Sequence, residues 1–189
     1  DWASIFTGNA KMDFDYIIVG AGSAGCVLAN HLSSDASNRV LLLEAGPDNG
    51  ALSLSLKMPA AVLSNLNSTK HNWAFQGEPE PELNGRRIQH DRGKTIGGSS
   101  SINGMVFIRG HALDYEGWQQ AGCPGWGYSD VLPYFKRMEN WHSGGHGGDK
   151  TWRGDKGPLH ITRGPRKNPL TQAFVKAGAQ AGYPVTDDY

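Results

Sequence analysis

An α/β fold is predicted for this chain on three observations. Residues Phe14 to Leu43 run strand, glycine turn, helix, strand, within the roughly thirty residues that one β–α–β unit needs. The two strand segments, FDYIIV and VLLL, are apolar without alternation, as strands covered on both faces are. Glycine stands at 26 of 189 residues beside ten prolines, which favours a loop-rich α/β architecture over a helical bundle.

The first strand is expected over Phe14–Val19. Its turn, Gly20-Ala21-Gly22-Ser23-Ala24-Gly25, opens a helix of small and apolar residues over Ser23–Leu32. Asn38-Arg39 then turns the chain into a second strand, Val40–Leu43, ending at Glu44. Beyond Gly46 the pattern weakens. Met58–Leu66 reads as a short helix beginning near Pro59. His71–Gln76 reads as extended, and Asn84-Gly85 as a hairpin turn leading into Arg86–His90. Leu113–Gln120 is helical by pattern. Ser129 is the expected N-cap of a helix to about Glu139, with Pro133 early enough in it to be tolerated. The polar, glycine-rich stretch His142–Gly157 is the best candidate boundary. Leu159–Thr162 is expected as a strand. Asn168-Pro169 should start a last helix that Gly182 stops, with Leu170, Phe174, Val175 and Ala177 on one face. No second crossover to a buried strand follows Glu44. Two strands and one helix leave an apolar sheet face uncovered, so the chain reads as the first part of a larger fold.

Composition excludes some functions. Lysine plus arginine equals aspartate plus glutamate at 18 each, so no global charge draws in nucleic acid or an anionic membrane. No apolar run is long enough to span a bilayer, and no secretory signal is visible, so a cytoplasmic location is expected. Residues 1–12 read as an extension ahead of the first strand. Cys26 and Cys123 are too few for a disulfide framework or a zinc site. Cys26, one residue past the glycine turn, reads as a small packed side chain.

The chemistry begins at Gly20, Gly22 and Gly25, which have the G-x-G-x-x-G spacing between a strand and a helix. The first permits the tight turn, the second lets backbone approach a pyrophosphate, and the third lets helix and strand pack closely. The helix N-terminus adds free N–H groups and a partial positive charge. Glu44, about 20 residues on, can accept from ribose hydroxyls and would repel a 2′-phosphate, leaving FAD and NAD. A second block, GKTIGGSSSIN at Gly93–Asn103, bares more backbone N–H groups. From composition alone that block is equally a flavin cradle and a tight structural turn.

Four segments taken in order resolve this: GAGSAG, LLLEAGP at Leu41–Pro47, NWAF at Asn72–Phe75, and RGKTIGGSSSINGMVFIRG at Arg92–Gly110. The sequence resembles the N-terminal part of the glucose–methanol–choline (GMC) oxidoreductases, from Asp13 to Asp188. GEPEPELNGRR and QAGYPVTDD suit the choline-oxidising branch. The resemblance implies an incomplete Rossmann-like FAD-binding domain, 13–135, followed by the start of an α+β substrate-binding domain, 136–189. It implies that Gly20, Gly22, Ser23, Ala24 and Gly25 hold the pyrophosphate, and Glu44 and Ala45 the adenosine. Trp73 and Arg92 would lie along the FAD. Gly97, Gly98 and Ser99 would begin the loop passing the flavin, and Asn103, Gly104, Met105 and Val106 would contact its ring system. Some relatives attach FAD through a histidine just before the asparagine; Ile102 stands there, implying non-covalent FAD.

The implied chemistry is oxidation of an alcohol, choline-like in the branch resembled, to an aldehyde by hydride transfer to flavin. The family's histidine base lies far downstream, and none of the seven histidines here sits in that context, so no catalytic residue is assigned. The expected partners are the alcohol and a companion chain or remainder of the polypeptide. The competing reading is an inactive flavin-binding fragment. His142 and His146 read as loop residues rather than metal ligands. Trp118, Trp126, Trp141 and Trp152 read as packing residues whose spacing keeps them apart, not as a cation cage.

Overall fold

The structure, a computed structural model, describes residues 13–47, 53–142, 149–164 and 167–186. The proposed extension 1–12 and His146 lie outside them. The chain divides into two compact units, Asp1–Val106 and Phe107–Tyr189.

In the first unit, strand β1 (Tyr16–Val19) pairs in parallel with β2 (Val40–Leu43), Tyr16 opposite Val40 and Val19 opposite Leu43. Helix α1 (Ser23–Leu32) makes the crossover. β1 starts later than Phe14 because the residues before it clasp the turn into β2. The Asp15 N–H donates to Arg39 O at 2.9 Å, the Arg39 N–H donates to the Asp15 carboxylate at 2.8 Å, and the Arg39 guanidinium lies over the Phe14 ring. Ile17 and Val19 stay 61% and 84% exposed, the uncovered sheet face that a two-strand, one-helix set leaves.

Where one helix over Met58–Leu66 was expected, three short pieces occupy 54–66, the first of them ahead of that range. They are α2 (Leu54–Lys57), a 3-10 turn (Pro59–Ala61) and α3 (Val62–Leu66). Pro59 holds Met58 extended (φ −94°, ψ 113°), which breaks the helix and lets Pro59 open the next turn. The Asn65 amide donates to Ser55 O at 2.8 Å and joins α2 to α3. The extended segment 71–76 shortens to β3 (Phe75–Gln76), antiparallel to β4 (Gln89–His90), because Ala74 turns left-handed at φ 47°. Asn84 and Gly85 take φ 58° and 72°, the pair of positive angles that an Asn-Gly turn supplies. A 3-10 turn over Gly98–Ser101 follows.

In the second unit, α4 (Ala112–Gln120) is capped by His111, whose Nδ1 accepts the Leu113 N–H while Asp114 accepts the His111 N–H. α5 spans Tyr128–Met138 and its N-cap is Gly127, not Ser129. Asp130 reaches back to the Gly127 N–H at 3.2 Å, and Gln119 accepts the same N–H at 3.0 Å, which closes the helix start two residues earlier. Pro133 therefore falls inside the helix rather than at its first turn. α5 runs straight into β5 (Glu139–His142), an element the sequence reading did not foresee, and β5 pairs in parallel with β6 (Leu159–Thr162). α6 spans Pro169–Gln180, with Asn168 accepting the Leu170 N–H and Gly182 turning out at φ 91°. Its Leu170 and Phe174 are exposed.

The tryptophans are closer than their spacing suggested. Tyr115, buried, is the hub: Trp118, Tyr128 and Phe135 lie 5.4, 6.0 and 5.8 Å away by ring centroid. Trp126 joins through Trp118 and Trp152 through Tyr128. These rings meet edge-on or tilted, so they fill space with each other rather than enclose a cation. Trp141 stands apart beneath Arg153. His142 hydrogen-bonds ring to ring with His160 at 2.9 Å. Planes 12° apart with centroids 5.1 Å apart place the two rings edge to edge.

Glu139 is fully buried. Its Oε1 takes Arg109 Nη2 at 2.8 Å and the Gly154 N–H at 2.7 Å, and Oε2 takes Arg153 Nη1 at 3.5 Å. The Arg109 Nη2 contact is a charge contact without an aligned N–H, so this half of the triad is coulombic rather than hydrogen-bonded. Arg109 instead donates through Nη1 to Trp152 O and lies over the Phe135 ring.

Candidate functional site

The site lies in the first unit, where three pieces of backbone meet. Gly20 turns at φ 94°, and its N–H donates to Leu43 O at 2.7 Å, which holds the end of β1 against the end of β2. Gly22, the N-cap of α1, has no side chain to accept from the first helical turn. The N–H groups there keep their donors for a ligand. A Cβ on Gly20 or Gly22 would meet open space, and one on Gly25 would strike Gly20 O. The fingerprint turn is thus open on the side a phosphate would approach and closed where helix packs on strand. Ser23 and Ala24 are exposed in the first turn of α1, and Ala45 is exposed beyond β2.

The second glycine block sits directly against the first. The Gly97 N–H donates to Ala21 O at 2.7 Å, and Gly22 and Gly97 form an isolated parallel bridge. A Cβ on Gly98 would lie 2.8 Å from Gly22 Cα. Glu44 joins the same junction. Its Oε2 accepts the Ala21 N–H and its Oε1 the Gly46 N–H, both at 2.8 Å. Each carboxylate oxygen keeps a further lone pair, enough for two ribose hydroxyls. Gly46 in turn packs on the Lys94–Thr95 backbone, too closely for any Cβ. Cys26 is part-buried with Sγ on Ala21 O at 3.2 Å, a packed side chain as expected.

Trp73 and Arg92 lie across from one another, the Trp73 N–H donating to Arg92 O at 2.9 Å. The Trp73 ring is 43% exposed, parallel to Phe75 within 7°, with Lys94 Nζ over it at 4.6 Å. Ser99 accepts the Gly93 N–H. Asn103 accepts the Met105 N–H at 2.8 Å, and Met105 takes φ 58°. Asn103, Gly104, Met105 and Val106 are exposed. Asn103 and Met105, with Met58, Pro59 and Asn65, line a cavity of about 80 Å³. Ile102 lines the same cavity and is only 3% exposed.

Two residues went unnoticed in the sequence. Lys94 is one. Asn72 is the other: 1% exposed, its Oδ1 accepts the Ala74 and Arg92 N–H groups, and its Nδ2 donates to Leu66 O and to Asp91 Oδ1. Asn72 opens the NWAF segment and Lys94 lies inside the second glycine block, but the type of neither residue marks a role by itself. Among the described residues no cluster of three or more histidine, cysteine or acidic side chains could hold a metal. No described helix is long and apolar enough to cross a membrane.

His71, next to Asn72, is 5% exposed. Burial holds its imidazole below the ordinary pKa of 6.5, and the Lys70 charge adds to the effect. The folded chain therefore keeps His71 neutral while the unfolded chain takes up a proton below pH 6.5. The unfolded state binds more protons, so stability is present above 6.5 and is lost as pH falls below it. Asp91 is lowered from 3.8 by its Gln89 and then its Asn72 hydrogen bonds, so its contribution is lost only below 3.8. Melting temperatures between pH 7 and 5 should fall less steeply in His71→Gln than in the native chain. Equal slopes would remove His71 from the account.

The family model for GMC oxidoreductase matches residues 14–189. An oxygen-dependent choline dehydrogenase of Sinorhizobium fredii is 58% identical over 94% of this chain, and one of Rhizobium meliloti is 54% identical over the same share. The chain spans 31% of the length of each. Among solved structures, pyridoxine 4-oxidase from Mesorbium loti superposes with a TM-score of 0.81 at 37% identity, covering 91% of this chain and 33% of that one. A formate oxidase of Aspergillus oryzae, studied for FAD modification, gives 0.82 at 27% identity, covering 95% and 32%.

Proposed function

Because the chain belongs to the GMC oxidoreductase family, we propose that it is the cofactor-holding part of a flavoenzyme that oxidises an alcohol to an aldehyde. The observation that carries this is the junction of the two glycine blocks, where Gly97 and Gly98 bond and pack on Ala21 and Gly22. FAD fits what is there. Uncapped N–H groups at the start of α1 suit a pyrophosphate. Glu44 retains lone pairs for a ribose, and the bare backbone of Gly97 and Gly98 lets the second glycine block close onto the first, where a Cβ would strike Ser101 Oγ or Gly22 Cα. In this reading Gly20, Gly22, Ser23, Ala24 and Gly25 hold the pyrophosphate, and Glu44 and Ala45 the adenosine. Trp73 and Arg92 flank the cofactor, and the run from Gly97, Gly98 and Ser99 through Asn103, Gly104, Met105 and Val106 passes the flavin ring. Residues 13–135 belong to the cofactor-holding part, and 136–189 begin the part that holds substrate.

When bound, the flavin supplies a hydride acceptor. The contribution of this chain is binding and orientation: backbone donors that stabilise anionic charge, and a rigid junction that sets where the ring lies. We assign no proton-transfer residue to it. The buried Ile102 offers no nucleophile, so FAD is held without a covalent bond. The choline-like substrate is supported by the 58% identical relative.

One experiment separates these parts. Acid precipitation of the purified intact protein should release all of its flavin into the supernatant; colour retained in the pellet would contradict the non-covalent assignment. Anaerobic addition of choline should bleach the flavin absorption before precipitation. Bleaching by another primary alcohol but not by choline keeps the enzyme and discards the substrate. Absence of flavin discards the reading.

A further inference from the structure

We propose that Asn72 is a positioning residue for the flavin cradle, acting through Arg92, Gly93 and Gly98 without touching the cofactor. The proposal rests on the flavin reading above. A carboxamide has two donors and two good acceptor lone pairs, and Asn72 uses all four. Oδ1 accepts the Ala74 and Arg92 N–H groups at 3.0 Å each, while Nδ2 donates to Leu66 O and Asp91 Oδ1 at 2.7 Å each. At 1% exposure no water can replace a lost partner. The amide has one orientation, since a flip would set its NH2 against two N–H groups.

The Oδ1 bonds reach the cradle, while the Nδ2 bonds tie the amide to α3 and to Asp91. The Arg92 N–H fixes the residue before Gly93, and Gly93 packs on Gly98 O too tightly for any Cβ while donating to Ser99 Oγ at 3.1 Å. Gly98 lies against Gly22 Cα in the fingerprint turn. From Asn72 to the pyrophosphate turn there is thus an unbroken run of backbone in contact, which leaves little slack to absorb a displacement. On the other side, the bond to the Ala74 N–H supports a residue at φ 47°, a conformation that alanine rarely adopts. That bend lies between Trp73 and Phe75, whose rings are nearly parallel, with Lys94 over the Trp73 ring. Asp91, which also accepts from Gln89 at 2.6 Å, anchors the amide from the β4 end.

The test strips the intact flavoprotein of FAD and titrates FAD back into the native form, Asn72→Ala and Asn72→Asp. Asn72→Ala should bind FAD about tenfold more weakly, the effect of one or two buried hydrogen bonds. The visible circular dichroism of its bound flavin should change, and the FAD-bound protein should lose more melting temperature than the apoprotein does. Asn72→Asp, which sets a second carboxylate against Asp91, should lose more, and adding Asp91→Asn should recover part of the loss. Unchanged FAD affinity and dichroism in Asn72→Ala, with apo and FAD-bound melting temperatures lowered alike, overturns the proposal and leaves the flavin reading standing. A native protein that fails to take up FAD overturns the flavin reading itself. Should Asn72→Ala fail to fold, Asp91→Asn keeps the shape and removes the charge. FAD binding about threefold weaker there supports the proposal, and unaltered binding overturns it.

Discussion

Gly98→Ala will give a folded protein that purifies without its flavin. Gly98 has φ 55°, and a Cβ there would lie 2.8 Å from Gly22 Cα, nearer than non-bonded carbons approach. The left-handed conformation alone costs an alanine about 1–2 kcal/mol. The methyl group then forces the second glycine block off the fingerprint turn, because the obstacle is backbone and cannot rotate aside. The Gly97–Ala21 hydrogen bond is the first casualty. FAD affinity should fall roughly a hundredfold, close to 2.8 kcal/mol. The control is Gly164→Ala, where a methyl meets open space. Equilibrium titration of the stripped protein with FAD measures both. Native affinity in Gly98→Ala would mean that the two blocks do not act on one ligand.

Glu139→Ala will unfold the second unit more readily than any surface change. The carboxylate is fully buried between Arg109 and Arg153, whose side chains are 11% and 12% exposed. Its removal leaves two guanidinium groups without their carboxylate and the Gly154 N–H without its acceptor. Breaking a buried pair from one side costs about 3–5 kcal/mol, because the surviving charge remains desolvated. Glu139→Gln keeps the shape and an acceptor for Gly154, so it should cost less than the alanine. The stacking of Arg109 on Phe135 and Arg153 on Trp141 keeps both guanidinium groups from swinging out to water. Denaturant midpoints for the two variants, followed by tryptophan fluorescence, supply the comparison. A loss below about 1 kcal/mol for the alanine, the range of exposed pairs, would show that water reaches the triad.

Glu139 also illustrates why part of this molecule could not be read in advance. A glutamate at the end of an amphipathic helix is ordinarily solvated, and nothing near it in sequence marks its partners, thirty residues before it and fourteen after. The strand it opens was not foreseen, Glu139 being read as the end of a helix and His142 as the start of a loop: pairing of β5 with β6 supplies the preference, and local composition does not. The tryptophans of the second unit were judged by spacing, which fails once Tyr115 and Tyr128 bridge them. The N-cap of α5 was misplaced because Ser129 is a good cap by type, while the bond from Gly127 to Asp130 depends on which turn closes first.

What the sequence determined by itself is the β1–α1–β2 unit, the Asn84-Gly85 turn, the start and stop of α6 and the glycine-lined turns. Each is set by backbone sterics within a few residues, where a glycine or a proline permits one conformation and forbids its rivals. Only the tertiary structure decided that Gly97 and Gly98 lie on Ala21 and Gly22, that Asn72 spends four hydrogen bonds on one ribbon, and that Glu139 carries its charge inside. Those outcomes depend on contacts between residues tens of positions apart. Their energies come from burial and from the satisfaction of polar groups, which a local pattern does not encode.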